Sequence, residues 1–529
     1  MSGLNVIEAS ARYGHAEVSL LLTLLSASGI SRVSHINDEA QQEWGVLLDK
    51  PRRPDGGTVD HCLKQIIDLD EEEQEATVVE RLGQIRPGGM IDMAQQASLQ
   101  GWVEAGLTDG DVWYFDDHVI EYTGQASIGK TKHGTKHFSV KAVNRYTLHN
   151  GLCSLNEYFP LTVSYREAMR HLVSKANACL PEEQRIRLLS FDRAGWDAEL
   201  LQWLPEEAGV MPITWVKRTE VNIRLMAAVD DQEFVPMDVE IVVGKRQKQH
   251  IVRVADARLE LPRLGSQRVI VLETNTAKRI GIYTTAPQPG ATPLADQRAM
   301  SLPSLMDAMR YKQRIENRFK VEVNEMNTDA LPSHRTLHAT HIEPYDLEVA
   351  TKQLHNAQQR FSKYEEQFQS EQHLHEDGEL DKHQLNILQK RTQKLQDKTE
   401  RVIETRSLEL AQVEFDQDGQ SFIATDIEVM DVRKLTLFNL FKLHALVALK
   451  ILASRLGLPE AGPERLRRAF LAFGDRVEFD HDQQIAIVYA RAFPRASVQQ
   501  AYERLCSELH DVPITITRNG LTYRLRFSW

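Results

Sequence analysis

The sequence predicts a multi-domain α/β protein, and three observations carry the prediction. The chain has 529 residues, too many for one compact core, so about three or four domains are expected. Hydrophobic residues make up 42% and charged residues 26% of it, the balance of an ordinary globular protein. Helical spacing and strand alternation also replace one another along the chain in blocks, with a heptad pattern in its second half.

Cofactor and compartment signals are few. The four cysteines, Cys62, Cys153, Cys179 and Cys506, lie far apart with no zinc-ligand spacing and no disulfide framework, so a reducing compartment is expected. The first residues hold no basic stretch leading into an apolar run, so no secretory leader is expected. The two most apolar runs, SLLLTLLSASGI and LHALVALKILASRLGL, fall short of a membrane span and are read as core helices. The net charge is −12, which counts against a polyanionic partner over the whole surface. Locally the balance reverses: between Glu121 and Asn150 stand Lys130, Lys132, Lys136, Lys141 and Arg145. Such a strip is either a solvated face or a phosphate-binding one.

Residues 1–108 read as a helical region, with helices over His15–Ala27, Thr58–Asp68 and Met93–Ala105. At Asp111 the texture changes. VWYFDDHVIEY, KHFSVKAVNRYTL and LCSLNEYF read as strands, with GQASIGKTKHG as a turn. A capping box then opens a helix, with Ser164 at the N-cap and Glu167 three residues on. RIRLLSF is a buried strand ending at Asp192; a helix near Ala198–Leu204 and the strand PITWV complete 109–218. The order of three strands, helix, strand, helix, strand is that of a ribonuclease-H-like core.

Over 219–290, VNIRLMAAV, VEIVV, HIVRVADARLEL, RVIVLE and IGIYTT read as strands of an inserted β-subdomain. The proline-rich APQPGATP is a linker, and 291–344 returns to the core through a helix from about Leu302 to Asn327. Apolar residues recur every three and four positions through 345–415 on either side of HEDGE, which predicts an antiparallel coiled-coil hairpin, with pairing between chains as the alternative. The apolar helix Val432–Leu456 makes 416–460 a core-packing segment. Residues 461–529 read as a small α/β unit whose last hairpin turns at Asn519-Gly520.

Two aspartates stand out. Asp116 interrupts an apolar strand, where Asp is disfavoured and a buried charge needs a partner. Asp192 ends its strand just before a turn, where functional groups of parallel sheets gather. In the predicted topology their strands are neighbours. Two close carboxylates repel unless a divalent cation lies between them, and oxygen ligands suit Mg²⁺. A third carboxylate from a helix would complete a two-metal phosphoryl-transfer site. Structural alternatives stand beside each: Asp116 bonded to a nearby turn, Asp192 as a helix cap, and Glu316 in surface pairs with Lys312 and Lys320.

The segments FDDHVIEYTGQASIGKTKHGTKHFSVKAVNRYTLHNG, LLSFDRAGWDAELLQWL and RYKQRIENRFK resemble bacterial insertion-sequence transposases of the DDE superfamily, in the branch with a β-rich insertion before the catalytic Glu. The resemblance covers about residues 110–330. It implies Asp116, Asp192 and Glu316 as catalytic residues and ligands of two Mg²⁺ or Mn²⁺ ions, with 76 residues between the first two and 124 between the last two. By charge and position Lys130, Lys132, Arg193, Arg314 and Lys320 are candidate contacts to DNA phosphates. Asp117 follows Asp116 where a small residue is common in the family, so either could be the ligand; strand alternation sends them to opposite faces, and Asp116 is preferred. Arg314 lies too close to Glu316, and Val323 stands in place of a Lys, for the signature of one branch. The implied activity is metal-dependent cleavage and strand transfer of double-stranded DNA, at element ends and target, without ATP or a membrane. A homodimer on the DNA and a cytoplasmic, nucleoid-associated location are implied too. The alternatives are a catalytically silent DNA-binding or scaffolding descendant, and a host nuclease of the same fold.

Overall fold

The computed structural model describes residues 15–27, 55–72, 85, 87–132, 139–243, 247–287, 300–309, 322–323, 326–329, 331–333, 335–344, 346–378, 381–415, 421–455, 476–489, 496–511, 514–518 and 521–528. The chain divides into two compact units. One holds Met1–Ala76, Leu82–Arg335 and Met430–Trp529; the other is built mainly by Thr336–Val429.

The first unit opens with helices α1 (His15–Ala27), α2 (Gly56–Glu72) and α3 (Met90–Glu104). Strands β1 (Val112–Glu121), β2 (Lys130–Lys132), β3 (Ser139–Asn150) and β4 (Cys153–Phe159) follow. Helix α4 (Tyr165–Cys179) starts where the capping box places it: Ser164 accepts from Glu167 N–H, and the Glu167 carboxylate accepts from Ser164 N–H. Then come β5 (Leu188–Phe191), α5 (Ala198–Glu206) and β6 (Met211–Trp215). The strands pair in the order β4-β3-β1-β5-β6, with β2 on part of β3. β1, β5 and β6 are parallel, and β3 is antiparallel to both of its main neighbours.

VNIRLMAAV, expected as a strand, is instead the helix α6 (Glu220–Ala227). Thr219 caps it by accepting from Asn222 N–H at 3.2 Å. The alternation of Val221, Ile223 and Leu225 imitates a strand, yet Val221 and Ile223 are exposed while Asn222 and Met226, one helical turn apart, are buried. The burial period is therefore helical. Strands β7 (Val235–Val243), β8 (Gln247–Leu261), β9 (Gly265–Thr274) and β10 (Arg279–Thr284) form a meander that joins the main sheet, because β10 pairs with β6 through Tyr283↔Thr214. The sheet thus has ten strands among the described residues.

Each face of the sheet has its own core. On one, Trp113, Phe115, Leu189 and Phe191 pack with apolar residues of α4 and α5. On the other, Leu188, Ile213 and Ile270 pack with Leu305, Met306 and Met309 from the helical residues 302–309.

The second unit contains a three-stranded sheet, ordered β11 (Thr336–Pro344), β13 (Ser421–Met430), β12 (Val413–Phe415), and the helices α7 (Leu347–Glu376) and α8 (Lys382–Ala411). The two helices, 30 residues each, pack along one another. A buried polar pair lies between them: Thr392 Oγ1 donates to Glu371 Oε1 at 3.1 Å.

Helix α9 (Arg433–Arg455) belongs to the first unit. By length and composition alone it is apolar enough to cross a membrane, but most of that stretch is buried inside the protein. Leu437, Phe438 and Phe441 share a core with α1 and α2, and Leu440, Leu443 and Val447 join the core under the sheet. The last segment folds as β14 (Arg476–Asp480), β15 (Ile485–Tyr489), α10 (Ala496–Asp511), β16 (Thr515–Arg518) and β17 (Leu521–Ser528), with strand order β14-β15-β17-β16. The pairing Arg518↔Leu521 frames the expected hairpin turn; Asn519 and Gly520 lie outside the described residues.

Candidate active site

Asp116 and Asp192 meet at the junction of β1 and β5. The parallel ladder between these strands pairs Tyr114↔Ser190 and then ends at Phe115↔Phe191. The next residue on each chain is an aspartate. Alternation puts every second residue on the same face, so Asp116 follows Tyr114 and Asp192 follows Ser190 onto the face covered by residues 302–309. Asp116 is half-buried and Asp117 exposed, and alternation turns Asp117 to the opposite face. Asp192 is exposed and opens a 3-10 turn, Arg193–Gly195, its carboxylate accepting from Arg193 N–H at 2.6 Å. It therefore caps a turn as well as standing beside Asp116.

Three carboxylates act on one hydroxyl here. Tyr165 is the first residue of α4, and its hydroxyl donates to Phe115 O over a long 3.4 Å. Its phenol is held well above the usual tyrosine range, first by burial and then by the negative charges of Asp116, Asp117 and Asp192. Tyr146, on the neighbouring strand, is pushed up to about 12 by burial and by Asp117. Gly195 gives the turn its close approach: a Cβ there would stand 2.7 Å from both Phe191 Cδ2 and Tyr165 Cε1. The FDRAG glycine thus makes room for a tyrosine.

Glu316, Arg314 and Lys320 lie outside the described residues. The points on either side of them are defined. Ser190 Oγ donates to Met309 Sδ at 3.7 Å. Thirteen residues later in the sequence, Glu322 is buried against Arg145 of β3, with Arg145 Nη2 3.3 Å from Glu322 Oε2. Arg145 pairs in register with His118, two residues beyond Asp116. Among the described residues, no three His, Cys, Asp or Glu side chains form a group able to hold a metal ion.

The Arg145 neighbourhood was not visible in the sequence. Arg145, counted there in a basic strip, is fully buried and also donates to Thr328 Oγ1 at 3.0 Å. Asn327 takes a left-handed φ of 51°, a conformation asparagine tolerates. Its carbonyl accepts from Lys442 Nζ at 2.7 Å, and the Thr328 carbonyl accepts from Asn439 Nδ2 at 2.8 Å. His118 Nε2 lies 2.8 Å from Asp329 Oδ2. Glu322, Asn327, Thr328 and Asp329 are thereby fastened to β1, β3 and α9. Of the other basic candidates, Lys130 is exposed on β2 and Arg193 is half-buried. Lys132 pairs with Ser139 through the strand ladder.

A second buried network holds α4 from behind. Lys175 of α4 pairs with Asp92 of α3 at 2.5 Å and with Glu157 of β4, whose other oxygen lies 2.9 Å from His171 Nε2. Burial pushes the Glu157 carboxyl up, but Lys175 and His171 together bring it down to about 2. His171 is pushed down by burial and raised overall by its bond to Glu157.

No protein-family profile and no curated protein match this chain. Among solved structures, a cryo-EM piggyBac transposase synaptic complex with hairpin DNA is similar at 8% identity. That match covers 90% of this chain and 81% of that one, with a TM-score of 0.33. The crystal structure of the Mos1 mariner paired end complex with Mn is similar at 14% identity, over 37% of this chain and 59% of that one, with a TM-score of 0.13. Both likenesses are distant.

Proposed function

We propose that this chain is a DNA transposase that cleaves and joins DNA strands with divalent metal ions held by Asp116, Asp192 and Glu316. One observation carries the reading: two carboxylates at adjacent ends of parallel neighbours, in a sheet ordered β4-β3-β1-β5-β6. That order is the one expected of a ribonuclease-H-like core. The FDRAG and RIENRFK segments support the same assignment by resemblance.

The donor set suits a hard divalent cation. Carboxylate oxygens are ligands for Mg²⁺ and Mn²⁺, and two adjacent carboxylates need positive charge to be comfortable together. The Tyr165 phenol is raised first by burial and then by the negative charges of Asp116, Asp117 and Asp192 at this junction. Bound there, two ions would activate the attacking oxygen and stabilise the leaving one.

The chain's own residues do the rest. Asp116 and Asp192 would hold the ions from the sheet, and Glu316 would be the third ligand. Lys130, Lys132, Arg193, Arg314 and Lys320 contact phosphates and fix the DNA without reading its sequence. No covalent protein intermediate and no ATP are needed, since water and then a DNA 3′-hydroxyl are the attacking groups. Two DNA ends have to be held together, which calls for a dimer on the DNA, in the bacterial nucleoid. Residues 1–108 are candidates for binding the ends.

The test is incubation with DNA carrying the flanking ends of the coding region, with Mg²⁺ or Mn²⁺, comparing wild type with Asp192→Asn. Metal-dependent cleavage and joined product that both vanish in the variant support the reading. Cleavage without joining makes the protein a nuclease of this fold. Binding without any cleavage makes it a silent DNA-binding descendant.

A further inference from the structure

We infer that Tyr165 is a positioning residue that ties together the two strand ends carrying Asp116 and Asp192, its hydroxyl bonded to one and its ring packed against the turn that follows the other. This deepens the proposed function and rests on its reading of the two aspartates as metal ligands.

The need for such a tie follows from the ladder. Backbone pairing between β1 and β5 stops at Phe115↔Phe191. Beyond that point β1 continues against β3, while the chain after β5 turns into Arg193–Gly195. The two aspartates therefore stand at the very end of the ladder, with no pairing between β1 and β5 beyond them, and their charges repel. Tyr165 spans this junction. Its hydroxyl donates to the carbonyl of Phe115, the residue before Asp116, and Gly195, in the turn that Asp192 opens, closes onto its ring.

Its placement is determined on every side. The capping box sets the start of α4 at Tyr165. The ring meets Phe115 edge-on at 5.0 Å and Tyr146 at 5.9 Å. Gly195 lets the turn close onto the ring. A packed aromatic ring with its hydroxyl on the carbonyl that precedes Asp116 is the arrangement expected of a residue that orients ligands without binding the metal itself.

The experiment uses the whole chain and Mn²⁺ alone, following free Mn²⁺ by electron paramagnetic resonance for wild type, Tyr165→Phe and Asp192→Asn. Thermal midpoints are measured on the same samples. Tyr165→Phe keeps the ring and loses only the hydroxyl, so it is expected to bind Mn²⁺ about tenfold more weakly at an unchanged thermal midpoint. Cleavage by this variant should be slow at limiting Mn²⁺ and recover at saturating Mn²⁺, putting the loss in metal half-saturation instead of kcat. If Tyr165→Phe holds Mn²⁺ as wild type does while Asp192→Asn has lost it, the positioning role is overturned and the aspartate reading survives. A loss of affinity that merely tracks a lowered thermal midpoint also overturns it, packing being sufficient. If Asp192→Asn binds Mn²⁺ like wild type, or wild type binds none, the aspartate reading fails and the role of Tyr165 falls with it.

Discussion

Replacing Arg145 with methionine removes the charge that keeps Glu322 in the protein interior. The two side chains are 0% and 1% exposed and stand 3.3 Å apart. Breaking a buried pair from one side leaves the other charge without its counter-ion, a loss of about 3–5 kcal/mol. For a unit of this size that corresponds to roughly 6–10 °C in thermal midpoint, at about 2 °C per kcal/mol. The double variant Arg145→Met with Glu322→Leu should regain most of it, because apolar side chains of similar volume often replace a buried ion pair without net cost. Unfolding followed by circular dichroism gives the midpoints. The salt dependence of DNA binding, followed by fluorescence anisotropy, separates this role from phosphate contact. Arg145→Met should leave that slope unchanged, whereas Lys130→Ala should lower it by about one. A stable Arg145→Met protein with a reduced slope would refute the buried role and return Arg145 to the basic strip.

Two other outcomes follow from the same packing. Gly195→Ala should destabilise by about 1–3 kcal/mol, since the new Cβ must displace the Phe191 or Tyr165 ring; an unchanged thermal midpoint would contradict this. The Glu157–His171–Lys175 network should make stability depend on pH from both sides. Glu157, lowered in the fold to about 2, stabilises above its unfolded value near 4.5 and loses that contribution as pH falls. His171 is raised, so its contribution is complete below about 6.5 and is lost as pH rises through its folded value. The difference in urea midpoint between wild type and His171→Gln should therefore be greatest near pH 5 and shrink as pH rises beyond the unfolded value of about 6.5; a difference that grows with pH would contradict the assigned bond.

Much of the fold was legible because local signals and tertiary structure agree. The capping box at Ser164 and Glu167, the heptads of α7 and α8, and the strand ending at Asp192 each depend on residues close in sequence. The segment Val221–Val229 misled because its apolar residues alternate by chance on the exposed side of a helix, while burial follows Asn222 and Met226. Arg145 misled for the opposite reason. Its partners Glu322 and Thr328 lie 177 and 183 residues away in the chain, and a basic residue among lysines looks like surface until that partner is known. Tyr165 follows the capping serine with no sequence signal of its own; its hydroxyl gains meaning from Phe115, 50 residues earlier, and its ring from the turn after Asp192. The juxtaposition of Asp116 and Asp192 was accessible because the strand order alone implies it.

The most direct test of the central claim is a change of metal preference at Asp192. A thiolate is a softer ligand than a carboxylate and favours Mn²⁺ over Mg²⁺. If Asp192 is a metal ligand, Asp192→Cys should fail to cleave DNA with Mg²⁺ and regain cleavage with Mn²⁺, while Asp192→Ala stays inactive with both. Equal activity of Asp192→Cys and wild type in the two metals would contradict the claim that Asp192 binds the ion.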